Sequence, residues 1–325
     1  MKPGSLKPRA FEPRAPLLGL ALIALVCLYP FVVTNYWLHV AIVVLMNITY
    51  TVALCAVLRM GYLSLGHAGF IALGAYTSVV LSVRFGISPW LGILAAAAFA
   101  GAVAWGLGAL TLRLRGIYFS LAVFAFGEIV VAIARAFDWL GGPSGITNVP
   151  RPEFFGIRLD THFSFYWLVA AVAVAVITFF ARLQGTRFGA TLLTLKTEAS
   201  ERLAQSVGVD AAAFKTACFA MSCAAVGGMG AVHAMYLLFV NPQIFSFLMS
   251  TDLVIYAMIG GTSGFWGPVL GAGLLTALGE QLFSAGYWKT LVYALILMVV
   301  ILLMPGGLTA VSTLWRRETA PRPRA

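Results

Sequence analysis

The residues able to carry chemistry are few, and their spacing argues against catalysis. In GYLSLGHAGFIALGAY, residues 61–76, Ser64 stands three positions before His67, a helical-face spacing. Neither Ser64, Ser120 nor Ser222 has the His/Asp company that activates a serine, and none lies in a G-x-S-x-G turn. His39, His67, His162 and His233 lack metal-ligand spacing, so no metal site is expected. Cys27, Cys55, Cys218 and Cys223 all sit within apolar runs and read as small buried hydrophobes. What remains is a set of ionisable groups inside apolar segments, where they mark transport routes by default. Glu128 and Arg135, seven apart, share a helix face, and Asp138 is spaced to pair with Arg135. Glu128 has no partner in its own helix. Ser64, His67, Phe70, Tyr118 and Glu128 are the expected pathway residues, with capping or packing as the alternative for His67.

The elements that must position these groups are membrane spans. Of 325 residues 61% are hydrophobic and 10% charged, and the mean hydropathy is +0.94. Soluble domains carry roughly a quarter charged residues, so the fold class is all-α, a polytopic membrane protein. Runs near the ~20 residues that cross a bilayer fall at 17–34, 36–58, 68–83, 88–112, 117–137, 165–181, 213–239, 251–262, 268–284 and 288–305. About ten transmembrane helices result, the third, eighth and ninth short and interrupted by glycine. Residues 17–34 follow a basic segment without an evident cleavage site and read as a retained span.

The net charge of +10 lies in short stretches between apolar runs, which speaks for membrane orientation and against nucleic acid. With both termini cytoplasmic, 16 Lys and Arg fall inside and 5 outside, the bias of the positive-inside rule. Domain organisation follows: a basic cytoplasmic segment 1–16, a transmembrane domain 17–305, and a basic cytoplasmic tail 306–325. Five spans on each side of the outer loop 138–164 allow two inverted halves. The glycine-rich segments 61–74 and 260–273 then fall at one membrane face and are not equivalent positions of such a repeat. Ala68 and Ala72 in the first, and Gly260, Gly264, Gly267 and Gly271 in the second, offer smooth surfaces for close helix packing.

The inner loop 182–215 is the other long connection. Leu195, Ala199, Leu203 and Val207 recur every fourth residue, predicting a short amphipathic helix. Its balanced charges suit docking to a cytoplasmic partner better than a lipid surface.

In this loop Arg187-Phe188-Gly189, Lys196, Glu198-Ala199, Gly208-Val209 and Lys215 resemble the coupling segment of permease subunits in branched-chain (hydrophobic) amino-acid ABC importers. GYLSLGHAGFIALGAY, RLRGIYFSLAVFAFGEIV (113–130) and GGTSGFWGPVLGAG (260–273) resemble further segments of that family, over most of residues 36–305. LKTEASERLAQ departs from the more Arg- and Asn-rich version usual there. The resemblance implies a transport subunit in the bacterial inner membrane. Its partners would be a second homologous permease, two cytoplasmic ATPase subunits and an extracytoplasmic solute-binding protein. Arg187, Phe188, Gly189, Lys196, Glu198, Ala199, Gly208 and Lys215 would couple it to the ATPases. The chain has no G-x-x-x-x-G-K-[ST] loop, so ATP hydrolysis falls to the partners and no cofactor is expected here. Urea, short amides or aromatic acids are alternative substrates in the same importer class. An ion-coupled secondary transporter acting alone is the alternative from another class, with Glu128 as its candidate ion carrier.

Overall fold

The computed structural model describes residues 28–282 except 115, 155–156, 196–197, 207 and 263, and beyond them residues 288, 291, 294, 295 and 298. Segment 1–16, most of the expected spans 17–34 and 288–305, Lys196 and the tail 306–325 lie outside the described residues. The chain is all-α. Among the described residues six helices are long and apolar enough to cross a membrane: α1 (Asn35–Arg59), α2 (His67–Phe85), α3 (Pro89–Thr111), α4 (Ile117–Ala136), α5 (His162–Gly185) and, after two short helices, α8 (Ala211–Leu237). The short ones are α6 (Arg187–Thr194) and α7 (Glu198–Ser206). α9 (Phe247–Gly260) and α10 (Trp266–Gln281) complete the described bundle, and both fall below spanning length, so the count of ten is approximate.

Local chemistry sets these boundaries. Asp210 caps α8 by accepting from the Ala213 N–H at 3.0 Å, as Asp does at helix starts. Pro89 opens α3, where its missing N–H costs nothing. Gly86 ends α2 in the left-handed region (φ 65°), a conformation that suits glycine.

Packing arranges the helices as two halves. α2 packs on α3 as α9 packs on α10, α3 on α8 as α10 on α1, and α2 on α8 as α9 on α1, while α1 and α8 pack on each other. The directions are opposed. Ala56 O accepts from the Cys218 thiol and Ala53 O from Ser222 Oγ, whereas His39, near the start of α1, meets Tyr236, near the end of α8. α1 and α8 are therefore antiparallel. α2 leaves, and α9 reaches, the end of the bundle where Arg59 Nε donates to Thr262 O at 2.9 Å. Each half thus inverts the other, as in many transporters. That Arg59–Thr262 bond also joins the two glycine-rich segments at one end, so they occupy non-equivalent positions of the repeat.

Two expectations change. Loop 138–164 is partly ordered by backbone pairing: β1 (Ile146–Thr147) lies antiparallel to β4 (Phe239–Val240), and β2 (Glu153–Phe154) to β3 (Ile157–Arg158). The Arg135–Asp138 ion pair does not form among the described residues, because Phe137 turns to extended backbone (φ −100°, ψ 114°) and takes Asp138 off the helical face. The short helix expected over 195–207 corresponds to α7 (Glu198–Ser206), with Leu195 buried just before it and a further helix, α6, preceding it.

Candidate functional site

The connection between α5 and α8 is tied into the bundle by one cation. α7 ends at Ser206, and two residues on Gly208 takes a positive φ (86°) that folds the chain back toward α8. That reversal brings Glu201 Oε2 to 2.7 Å from Lys215 Nζ. Lys215 is buried, with 2% exposure, and a buried ammonium needs its donors satisfied. Its Nζ also donates to the Tyr62 hydroxyl at 3.2 Å and lies 5.0 Å from the Tyr62 ring centre, a cation–π distance. The Tyr62 hydroxyl donates in turn to Leu112 O at 3.2 Å, just past α3. Its ring packs edge-on to Phe119 of α4 at 4.9 Å. A short helix outside the bundle is thereby linked through Lys215 to segment 60–66, and from there to α3 and α4.

Segment 60–66 continues the linkage inward. Leu63 O accepts from Ser120 Oγ at 2.6 Å. Ser64 Oγ lies 2.7 Å from His67 Nδ1, and His67 Nε2 lies 3.0 Å from Ser222 Oγ, which donates to Ala53 O. The Ala68 N–H, unpaired by its own helix, donates to Ser250 Oγ of α9 at 2.9 Å. His67 is fully buried with both ring nitrogens engaged, joining α1, α2 and α8.

The other expected residues fall into distinct settings. Ser64 and Phe70 are buried, Phe70 stacking on Phe126 at 5.0 Å. Tyr118 and Glu128 are exposed on α4, along a stripe with Leu121, Ala125 and Arg135. Arg187 is exposed. Phe188 stacks on Phe214 of α8 at 5.2 Å, and Gly189 is buried so tightly that a Cβ there would lie 2.5 Å from Leu183 O. Glu198 and Ala199 belong to α7. Ala68 and Ala72 are buried, but the closest crossings of α2 use glycine: a Cβ on Gly74 would meet Gly227 O at 2.1 Å. Gly260, Gly267 and Gly271 lie at the α9–α10 crossing, where added Cβ atoms would meet Gly267 O, Gly261 O and Tyr256 O. Gly264 sits in the bend before α10.

Sequence reasoning missed Tyr62, Glu201, Ser222 and Ser250. Glu201 and Lys215 are 14 positions apart, so only the reversal at Gly208 could have hinted at their pairing. At the opposite end of the bundle the Tyr236 hydroxyl bridges His39 Nδ1 (2.6 Å) and His162 Nδ1 (3.2 Å), pinning α1, α5 and α8 together. Among the described residues no group of three or more His, Cys, Asp or Glu side chains could hold a metal.

An inverted pair of helical halves, with a short-helix connection wired to the spans, is a transporter's architecture. The family profile described as the permease component of the branched-chain amino acid transport system matches residues 33–304. The chain is 28% identical to the Escherichia coli K12 high-affinity branched-chain amino acid transport system permease protein LivM, over 92% of this chain and 73% of that protein. The Salmonella typhimurium LivM shows the same identity and coverage. No solved structure matches the chain. Both the architecture and the match over most of its length lead to one assignment: the chain belongs to the family of branched-chain amino acid ABC transport permeases.

Proposed function

We propose that this permease imports branched-chain or other hydrophobic amino acids across the bacterial inner membrane, and that segment 182–215 couples it to separate ATPase subunits. Both termini face the cytoplasm in this reading, with 17–305 as the membrane domain between the basic segments 1–16 and 306–325. The single observation that carries the coupling role is the Glu201–Lys215–Tyr62 chain. It connects a surface helix to the segment from which α2 starts. Leu193 and Leu203, exposed at 58% and 68%, leave apolar side chains on the same short helices for a partner to cover.

ATP closing the ATPase pair would shift α7, and Lys215 would pass that shift to Tyr62 and the entry of α2. A ligand moves such an equilibrium only through its differential affinity for the two states. The strength of the Glu201–Lys215 contact in each state therefore sets the coupling. A second homologous permease completes the membrane unit, and a solute-binding protein docks over 138–164, where β1 and β4 order the surface. ATP is used by the partners and this chain needs no cofactor.

The test is Lys215→Met and Glu201→Gln in the importer assembled with its partners in vesicles. Solute uptake should fall about tenfold or more, within the range of allosteric couplings, while ATP hydrolysis persists. Wild-type uptake per ATP in both variants would sink the coupling role. Uptake by this chain alone, driven by an ion gradient, would overturn the importer reading.

A further inference from the structure

Toward the end of α2 remote from the coupling chain, a cavity of about 300 Å³ lies between α2, α3 and α4. Leu73 and Val80 of α2, Phe99 of α3 and Val130 of α4 form its walls, and Trp139 and Leu140 close it beyond the end of α4. Two hydroxyl-bearing residues join this apolar lining. Thr77 spends its hydroxyl on Leu73 O at 2.6 Å. Tyr76, 6% exposed, has a buried hydroxyl for which the described residues supply no partner, and such a group is costly until something satisfies it. Phe99 and Ile133, at the lip, are 48% and 46% exposed, so the cavity opens between α3 and α4 toward the outside of the bundle. These two helices are the least buried of the six spans and present the most surface to lipid.

The rim of this cavity is basic. Arg135 directly follows the lining residue Ala134 and is exposed. Arg84, also exposed, reaches across from α2, its Nη2 donating to Trp139 O at 3.4 Å. Asp138, the acid of this stretch, lies beside Gly142, so two arginines against one aspartate leave the rim a net positive charge. Phe85 packs edge-on to Trp139 at 6.5 Å, and aromatic residues of this kind gather at head-group level.

From this juxtaposition we propose that the cavity holds one acyl chain of an anionic phospholipid, whose phosphate rests on Arg84 and Arg135. Arginine suits phosphate in charge and geometry, and basic groups beside pockets between spans hold anionic head groups. The Tyr76 hydroxyl gains an ester carbonyl of the glycerol linkage as its acceptor. An apolar cavity of half this size, ~150 Å³, already takes up benzene, so a run of methylenes fills this one without a polar cost. A zwitterionic amino acid does not fit, since its ammonium group would enter an apolar cavity that offers no anion. The inference needs only the membrane setting and does not depend on which solute the chain imports. In the orientation proposed above, the site faces the outer leaflet.

The experiment uses the importer complex in phosphatidylcholine nanodiscs, with a trace of phosphatidylglycerol carrying a photoactivatable diazirine in one acyl chain. After irradiation the adducts are mapped by peptide mass spectrometry. They should concentrate on residues 73–81 and 130–140, and unlabelled phosphatidylglycerol should reduce them several-fold more than added phosphatidylcholine does. Arg84→Gln combined with Arg135→Gln should make the two lipids compete equally. Thr77→Phe, which fills the cavity, should remove the adducts; if it does not assemble, the adduct map and the arginine variant decide. Adducts spread evenly over the spans, equal competition in the wild type, or a preference that survives the arginine variant overturn the site. Labelling that appears only once the partner subunits are stripped away also overturns it, and would mean that a protein surface covers the cavity.

Discussion

The entries of α2 and α9 occupy equivalent places in the two inverted halves, yet they are built in opposite ways. At α2 every polar group identified is spent internally: Ser64 on His67, His67 on Ser222, and the Ala68 N–H on Ser250. Glycine brings the backbones of α2 and α8 together, with no room for a Cβ at Gly74. Beside the α9 entry a cavity lies between α1 and α9, lined in part by Asn47, Ser246 and Leu253. A filled entry transmits displacement, because packed interiors do not deform continuously. Inversion supplies the same scaffold twice, and side chains assign the two copies different work.

That contrast can be broken most severely at Gly74. Gly74→Val drives a side chain into the Gly227 backbone, which cannot yield, and should abolish recovery of folded protein. Fluorescence-detected size exclusion of the detergent-solubilised chain checks it, and a normal peak would mean that the crossing is loose. His67→Ala comes next. It leaves Ser64 and Ser222 short of a partner in a buried site, at a cost of about 1–3 kcal/mol, to be read as a lower melting temperature. His67→Gln, able to hydrogen-bond at both ends, should recover part of the loss.

Gly208→Ala should cost about 1–2 kcal/mol through its left-handed backbone, since nothing lies within 4 Å of an added Cβ. Its uptake should fall further than its stability, because the reversal aims Glu201 at Lys215. An unchanged uptake would detach α7 from coupling. The smallest effect is expected between the halves: a double-mutant cycle on Asn47→Leu and Thr276→Val should give a coupling near the ~0.6 kcal/mol average of hydrogen bonds within membranes. A much larger value would mean that the α9 cavity is held as rigidly as the α2 entry.

How much of this was legible beforehand differs by feature. The spans from α1 to α5 and α8 follow from long apolar runs, and inversion from an odd span count per half. The family resemblance rests on contiguous motifs that any reader of the chain can see. The α2 entry was readable as a close-packing element, and beside the buried Ala68 and Ala72 the glycines Gly69 and Gly74, not singled out from the sequence, approach their neighbours' backbones closely. Tyr62 had no signal at all, since its role depends on partners 50 and 153 positions away.

The sequence by itself determined the membrane setting, the helical class, the approximate spans and the family, because hydropathy, charge bias and motifs are local properties that survive without a partner. The tertiary structure alone decided that Lys215 turns inward to Glu201 and Tyr62, that His67 is a filled junction, and that a cavity lies between α1 and α9 beside the inverted counterpart of that junction. Those outcomes depend on which side chains meet across long sequence separations. Hydrogen bonding and burial select among such meetings only once the helices are packed.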